Sequence, residues 1–267
     1  MINTISFPNL GWSFTINRVA FEVFGRPIFW YGIFITFAIL IGSVYLLKTL
    51  PKQGVLQDDI LNMIIYSVVI SIICARTYYV IFTFDMFKSD LWSVFYIWDG
   101  GIAIYGAIIG AFSTVYVYCK LKKIDAMTVF DSVGIVLLLG QAIGRWGNFT
   151  NAEAYGGQCY NALAMTIENG GRVVADLVHP TFFYESMWNL AGVIFLMLYK
   201  KHAKLKGELF FLYIAIYGIG RGIIEGLRAD SLMLGNQRIS QWLAYISAIF
   251  AVSAIVCLRT KPGKKAK

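Results

Sequence analysis

Long apolar runs alternate with short polar breaks along the chain, and the run lengths predict its architecture. Seven stretches, at 28–47, 60–82, 97–119, 128–147, 181–199, 208–227 and 239–258, are candidate membrane spans. Each is close to the length needed to cross a bilayer, about 20 residues of helix. Residues 1–27 mix aromatic and polar types, among them Phe7, Pro8, Trp12, Phe14, Phe21 and Phe24. They hold too many polar interruptions to span and predict an interfacial, partly amphipathic lead-in. They also lack the basic start and continuous apolar core of a cleaved signal peptide, so the first span is expected to act as its own insertion signal. The longest break, 148–179, is punctuated by Gly156, Gly157, Gly170 and Gly171 and predicts a small cap rather than an independent domain. The expected fold class is an all-α integral membrane protein, a seven-transmembrane-helix bundle forming a single polytopic domain over residues 1–267. Within it lie the lead-in at 1–27, an external loop at 148–179 and a basic tail at 259–267.

Composition supports the membrane assignment and removes a rival. Hydrophobic residues make up 58% and charged ones 14%, against about 25% charged in soluble domains. A formal net charge of +8 could point to nucleic acid, but the lysines and arginines sit in short runs between apolar segments, where topology explains them. Fourteen of the 23 fall in the first, third and fifth loops and the tail, and six on the opposite side, which puts the N-terminus outside and the C-terminus in the cytoplasm. No nucleic-acid partner is expected. Three basic residues, Arg76, Arg145 and Arg221, lie inside or at the outer edge of apolar segments. The four cysteines, Cys74, Cys119, Cys159 and Cys257, are scattered without ligand spacing, so neither a zinc site nor a disulfide framework is indicated.

The chemistry gathers where the fourth span ends, in Gly-Arg-Trp-Gly-Asn-Phe-Thr-Asn-Ala-Glu-Ala-Tyr-Gly at 144–156. An arginine there is costly unless an anion meets it, and Asn148, Asn151 and Glu153 follow within about two helical turns. On the sixth span Arg221, Glu225 and Arg228 fall at i, i+4 and i+7, along one face. Glu225 reads either as an internal counter-charge or as part of a site. Arg76, Arg145, Arg221 and Arg228 still outnumber Glu153, Glu185 and Glu225, and unpaired cations are disfavoured at low dielectric. Phosphate suits planar guanidinium forks, so a phospholipid head group is the expected counter-charge. Asn148 and Asn151 could bind head-group hydroxyls or cap the helix. Gly106 and Gly110, Gly140 and Gly144, and Gly218, Gly222 and Gly226 recur at four-residue spacing and predict close helix packing. No Asp-x-x-Asp pair, Gly-x-Ser-x-Gly elbow or nucleotide-binding glycine loop occurs, so no metal or organic cofactor is expected and any nucleophile should arrive with a substrate.

The 144–156 stretch resembles the signature of the bacterial prolipoprotein diacylglyceryl transferases. Support is spread along the chain: Trp30-Tyr31-Gly32, Cys74-Ala75-Arg76, Asp99-Gly100-Gly101, His179-Pro180-Thr181 with Tyr184-Glu185, and Tyr217-Gly218 leading to Arg221, Glu225 and Arg228. The resemblance covers about residues 28–258. It implies a multi-pass enzyme of the bacterial plasma membrane. Such an enzyme moves the diacylglyceryl group of phosphatidylglycerol onto the lipobox cysteine of a prolipoprotein signal peptide, forming a thioether and releasing glycerol phosphate. It further implies a catalytic set of Arg145, Arg221, Tyr105 and Glu153, and a substrate-binding set of Arg145, Asn148, Tyr31, Asn151, Arg76, Gly156, Glu225 and Arg228. Many members of that family carry histidine where Tyr105 stands, cast as the base for the thiol. A phenol with a reference pKa near about 10 is a poor base at neutral pH, whereas a free thiol is already a few per cent ionised. A transporter or flippase for an anionic solute or lipid is the rival reading, since intramembrane arginines suit it equally.

Overall fold

The computed structural model describes residues 2–229, 233–235 and 237–260. Eight strands, β1 (Ile2–Phe7), β2 (Trp12–Asn17), β3 (Val19–Val23), β4 (Arg26–Phe29), β5 (Met165–Asn169), β6 (Arg172–Val178), β7 (Met233–Leu234) and β8 (Gln237–Arg238), accompany seven α-helices. The helices are α1 (Trp30–Thr49), α2 (Gln57–Phe82), α3 (Ile104–Lys122), α4 (Ala126–Asn151), α5 (Thr181–Tyr199), α6 (Glu208–Glu225) and α7 (Ile239–Thr260). Among the described residues, all but α6 are long and apolar enough to cross a membrane. The exception carries Glu208, Arg221 and Glu225 within 18 residues. Outward faces bear Leu40, Ile73, Ile109, Leu198 and Phe250, each well exposed, an apolar skin of a kind that water-soluble proteins avoid. Lys261, Lys264, Lys265 and Lys267 of the expected tail lie outside the described residues.

The all-α expectation is corrected by the strands. The lead-in folds as strands: Asn3, Ile5 and Phe7 alternate inward along β1, the period-2 signature of a half-buried strand. β1 pairs antiparallel with β2 and, across more than 150 residues of sequence, with β5, so that Asn3 faces Asn169 and Ser6 faces Thr166. The four-stranded order is β2-β1-β5-β6, and the expected cap loop supplies half of it. Gly170 and Gly171, with φ of 58° and 79°, form the two-residue turn between β5 and β6; mirror-image turns with positive φ match strand twist. Ile5, Phe7, Met165, Ile167 and Val178 form the buried side of this sheet, against Phe182 of α5 and the ring of Trp146 on α4.

The chain forms two compact units, one of the residues up to Tyr45 together with those from Phe130 onward, the other Leu46–Val129. In the first, α6 lies on α7 through Gly218 and Gly222: a Cβ on Gly218 would sit 2.6 Å from the Ala244 carbonyl oxygen. Ser186 of α5 donates to the Ala142 carbonyl of α4 at 2.9 Å, and Trp188 donates to the Ile216 carbonyl of α6 at 2.8 Å. Gly140, by contrast, meets nothing, so its expected packing role is not seen. In the second unit, Gly106 and Gly110 bring α3 onto α2. Its helix starts at Ile104 rather than near 97 because Gly100 and Gly101 adopt φ of 87° and 73°, outside the helical region. Residues 84–99 ahead of them wind into short 3-10 turns.

Candidate active site

The last turns of α4 carry Arg145, Asn148 and Asn151 at three-residue steps, so their side chains follow one another along the helix end. Arg145 Nη1 donates to Asn148 Oδ1 at 3.3 Å. The amides of Asn148 and Asn151 both donate to Glu153 Oε1, at 3.0 and 3.1 Å. Arg18 Nε, from the link between β2 and β3, donates to Asn151 Oδ1 at 3.3 Å. Glu153 can be reached because the chain doubles back: Ala152 and Ala154 hold φ of 54° and 58°, and Glu153 N–H returns to the Asn148 carbonyl at 3.1 Å. Left-handed backbone costs a residue with a side chain about 1–2 kcal/mol. Two such alanines around one glutamate persist because the hydrogen bonds on either side hold them.

Glu185, in the second turn of α5 and 2% exposed, joins this cluster to α6. One of its oxygens accepts from Arg145 Nη2, and the other lies 3.5 Å from Arg221 Nη1. Arg221 Nη2 is 2.5 Å from Glu225 Oε2, and Arg228 Nε is 3.8 Å from the same oxygen. Arg238 donates to the Glu225 backbone carbonyl at 2.5 Å. In this linked chain Arg145, Arg221 and Arg228 share the carboxylates of Glu185 and Glu225. The side chains of Arg145 and Arg221 keep 20% and 18% exposure, against 2% for the Glu185 they share. An anion with several oxygens is what such a cluster takes up.

The frame around the cluster depends on close backbone crossings. Gly156 N–H donates to the His179 carbonyl at 2.9 Å, and Gly157 N–H to the Leu227 carbonyl at 2.8 Å. These tie the loop after α4 to the start of α5 and the end of α6. A Cβ on Gly156 would lie 2.6 Å from His179 Cβ and 2.7 Å from the Leu227 carbonyl, so Gly156 serves the crossing. Thr181 Oγ1 fastens the Ala154 carbonyl. Tyr31, at the first turn of α1, lays its ring against Gly147, the neighbour of Asn148. Beside the cluster, Phe7, Trp12, Phe14, Trp146, Phe149 and Phe182 help line a cavity of about 200 Å³. That cavity is apolar throughout and offers an anion nothing.

Arg76 and Tyr105 belong to the second unit. Arg76 Nε donates to the Val94 carbonyl, Nη1 to those of Gly100 and Gly101, and Nη2 to those of Ser93 and Tyr96, at 2.7–3.4 Å. A guanidinium has five N–H groups, and each has a carbonyl, so none is spare for a phosphate. Gly101 is small for the same reason, since a Cβ there would meet Arg76 Nη1 at 2.6 Å. Tyr105, in the first turn of α3, is 54% exposed with its ring 6.3 Å from that of Tyr78.

The family model described as prolipoprotein diacylglyceryl transferase matches residues 18–257. The chain belongs to the prolipoprotein diacylglyceryl transferase family. Proteins named phosphatidylglycerol–prolipoprotein diacylglyceryl transferase are similar to it over nearly their whole lengths. That of Clostridioides difficile is 41% identical over 246 residues, 92% of this chain and 97% of the relative. That of Ligilactobacillus salivarius is 40% identical over 90% of this chain and 92% of its own, and that of Staphylococcus aureus 40% over 92% and 90%. In this transferase-family chain the structure also brings in residues that the sequence reading did not place in the site. Glu185 entered as one negative charge in a count and as part of a resembling motif, without a site role, yet it bridges the two central arginines. Arg18 was counted among loop charges, and its path to Asn151 required the β-sheet to be known.

Proposed function

We propose that the arginine–carboxylate cluster at the ends of α4, α5 and α6 is where this multi-pass membrane enzyme holds phosphatidylglycerol. There it transfers the lipid's diacylglyceryl group to a prolipoprotein cysteine thiol. The observation that carries the reading is the Arg145–Glu185–Arg221 bridge, which fixes two guanidiniums side by side in a chain of the transferase family. The thiolate attacks the glycerol carbon bonded to phosphate: a carbon–sulfur bond forms, the carbon–oxygen bond breaks, and the electron pair leaves with glycerol phosphate. The phosphodiester carries one negative charge and its product nearly two, so the charge that grows in the transition state lands on the group the arginines face. Donors aimed at developing charge stabilise the transition state more than the ground state.

In this scheme Arg145 binds the lipid phosphate and Arg221 assists its departure. Asn148, Asn151 and Glu153 set the Arg145 fork, Glu225 and Arg228 set that of Arg221, and Tyr31 and Gly156 shape the pocket wall. Arg76 we assign to holding the segment 93–101 in place. Tyr105 orients a substrate, and the thiol reaches its thiolate without a phenol base. In the same scheme α6 crosses with the six apolar helices, the N-terminus lies outside the bacterial plasma membrane and the C-terminus in the cytoplasm, and the cluster sits at the outward face. The chain acts as one polytopic membrane domain whose substrates are membrane phosphatidylglycerol and lipobox-bearing signal peptides, with no nucleic acid. The decisive experiment incubates purified protein with phosphatidylglycerol and a cysteine-containing signal peptide. Thioether-linked peptide and stoichiometric glycerol phosphate are expected; lipid binding or movement across vesicles without a thioether would overturn the reading.

A further inference from the structure

One helical turn further from the loop end than Arg145, Glu185 and Arg221 lie Gln141 on α4, Asn189 on α5 and Tyr217 on α6, each four residues away from its partner above. Asn189 is 1% exposed, and among the described residues neither its amide nitrogen nor its amide oxygen has a hydrogen-bond partner. Gln141 spends one amide atom on the Tyr213 hydroxyl at 3.2 Å, and its other is buried without a partner. Buried polar groups in folded proteins are nearly always satisfied. The Asn189 amide, one helical turn below the arginine–carboxylate cluster, thus keeps hydrogen-bonding capacity that the described residues do not spend.

The depth identifies the chemistry. A helical turn advances about 5.4 Å. In a glycerophospholipid the ester carbonyls lie a few covalent bonds from phosphorus on the acyl side, of the order of 5 Å away. A lipid whose phosphate sits between Arg145 and Arg221 therefore brings its esters to the level of Asn189. We propose that the Asn189 amide N–H donates to an ester carbonyl of the diacylglyceryl group, fixing the glycerol so that its reactive carbon stands in front of the incoming sulfur. An ester oxygen accepts and never donates, so the working half of the side chain is its NH₂. The assignment rests on the transferase reading and deepens it: the arginines recognise the phosphate, and Asn189 recognises the acyl linkage.

The test compares phosphatidylglycerol with its dialkyl ether analogue of equal chain length, using the full-length enzyme and a cysteine peptide. The ether lacks only the carbonyls. Wild-type enzyme is expected to prefer the ester by roughly tenfold in kcat/KM, the worth of one buried hydrogen bond. In Asn189→Leu the ester rate should fall to the ether rate while the ether rate stays, bringing the ratio near one. Its thermal midpoint without lipid should be no lower than wild type, because no protein hydrogen bond is lost. A wild-type ratio of one, or a leucine variant that keeps the wild-type preference, would overturn the proposal. A wild type that makes thioether from neither lipid would overturn the transferase reading and this assignment with it.

Discussion

Replacing Glu185 by glutamine keeps the volume and removes the charge that two arginines share. Glutamine offers one carbonyl oxygen where the carboxylate offered two, and its NH₂ faces a guanidinium that also only donates. One ion-pair hydrogen bond becomes an ion–dipole bond from the guanidinium to an uncharged carbonyl, and the second pairing turns donor against donor. Glu185 is 2% exposed and its partners 20% and 18%, so solvent screening relieves little of this. The expected loss is about 2–4 kcal/mol, in line with breaking a buried pair by deleting one partner. At roughly 2–4 °C per kcal/mol for a chain of this size, the midpoint in detergent should fall by roughly 4–16 °C. Two guanidiniums left facing each other should bind an anion more avidly than before, so phosphatidylglycerol should raise the midpoint more in Glu185→Gln than in wild type. A zwitterionic lipid of equal chain length should not. Turnover should drop because the two forks are no longer held in register, so kcat falls while KM for lipid does not rise. Equal midpoints together with equal kcat would refute the bridging role.

Three further outcomes follow from the geometry. Arg145→Ala should abolish thioether formation, whereas Tyr105→Phe should leave measurable turnover in the same assay; complete loss in both would show that the phenol is needed. Gly156→Ala pushes a methyl to within 2.6 Å of His179 and 2.7 Å of a backbone carbonyl. Overpacking of this kind costs about 1–3 kcal/mol, to be read as a lower midpoint and slower turnover together. Arg76→Met removes five hydrogen bonds to carbonyls of the 93–101 segment, so limited proteolysis should cut that segment faster, with KM for lipid unchanged. A selective rise in that KM would instead restore Arg76 to the lipid site.

How much of this the sequence could reveal depended on how local each cause was. Helices α1, α2, α4, α5 and α7 begin and end within a few residues of their hydropathy limits, because a run of apolar side chains and its polar ends are both written locally. Spacing alone also put Arg221, Glu225 and Arg228 on one face, and the ion pairs follow it. The β-sheet was not legible in that way. β1 is stabilised by β5 across more than 150 residues, and a window of polar and aromatic residues reads as interfacial when its partner strand cannot be seen. The four-stranded sheet is also the reason that Arg18 reaches Asn151.

Charge counting treats every intramembrane arginine alike. It is insensitive to whether a guanidinium is satisfied by carbonyls, and Arg76, fully engaged by backbone, entered the surplus on the same footing as Arg145. Counting donors corrects this. Arg76 spends all of its N–H groups on protein, while Arg145 directs only two of its own to Asn148 and Glu185. The difference between a structural arginine and a ligand-binding one thus lies in unspent hydrogen-bonding capacity rather than in net charge or depth. The same criterion, applied to a neutral side chain, separates Asn189 from the other polar residues of α5: Glu185, Ser186 and Trp188 each have protein partners, and Asn189 alone of these four does not.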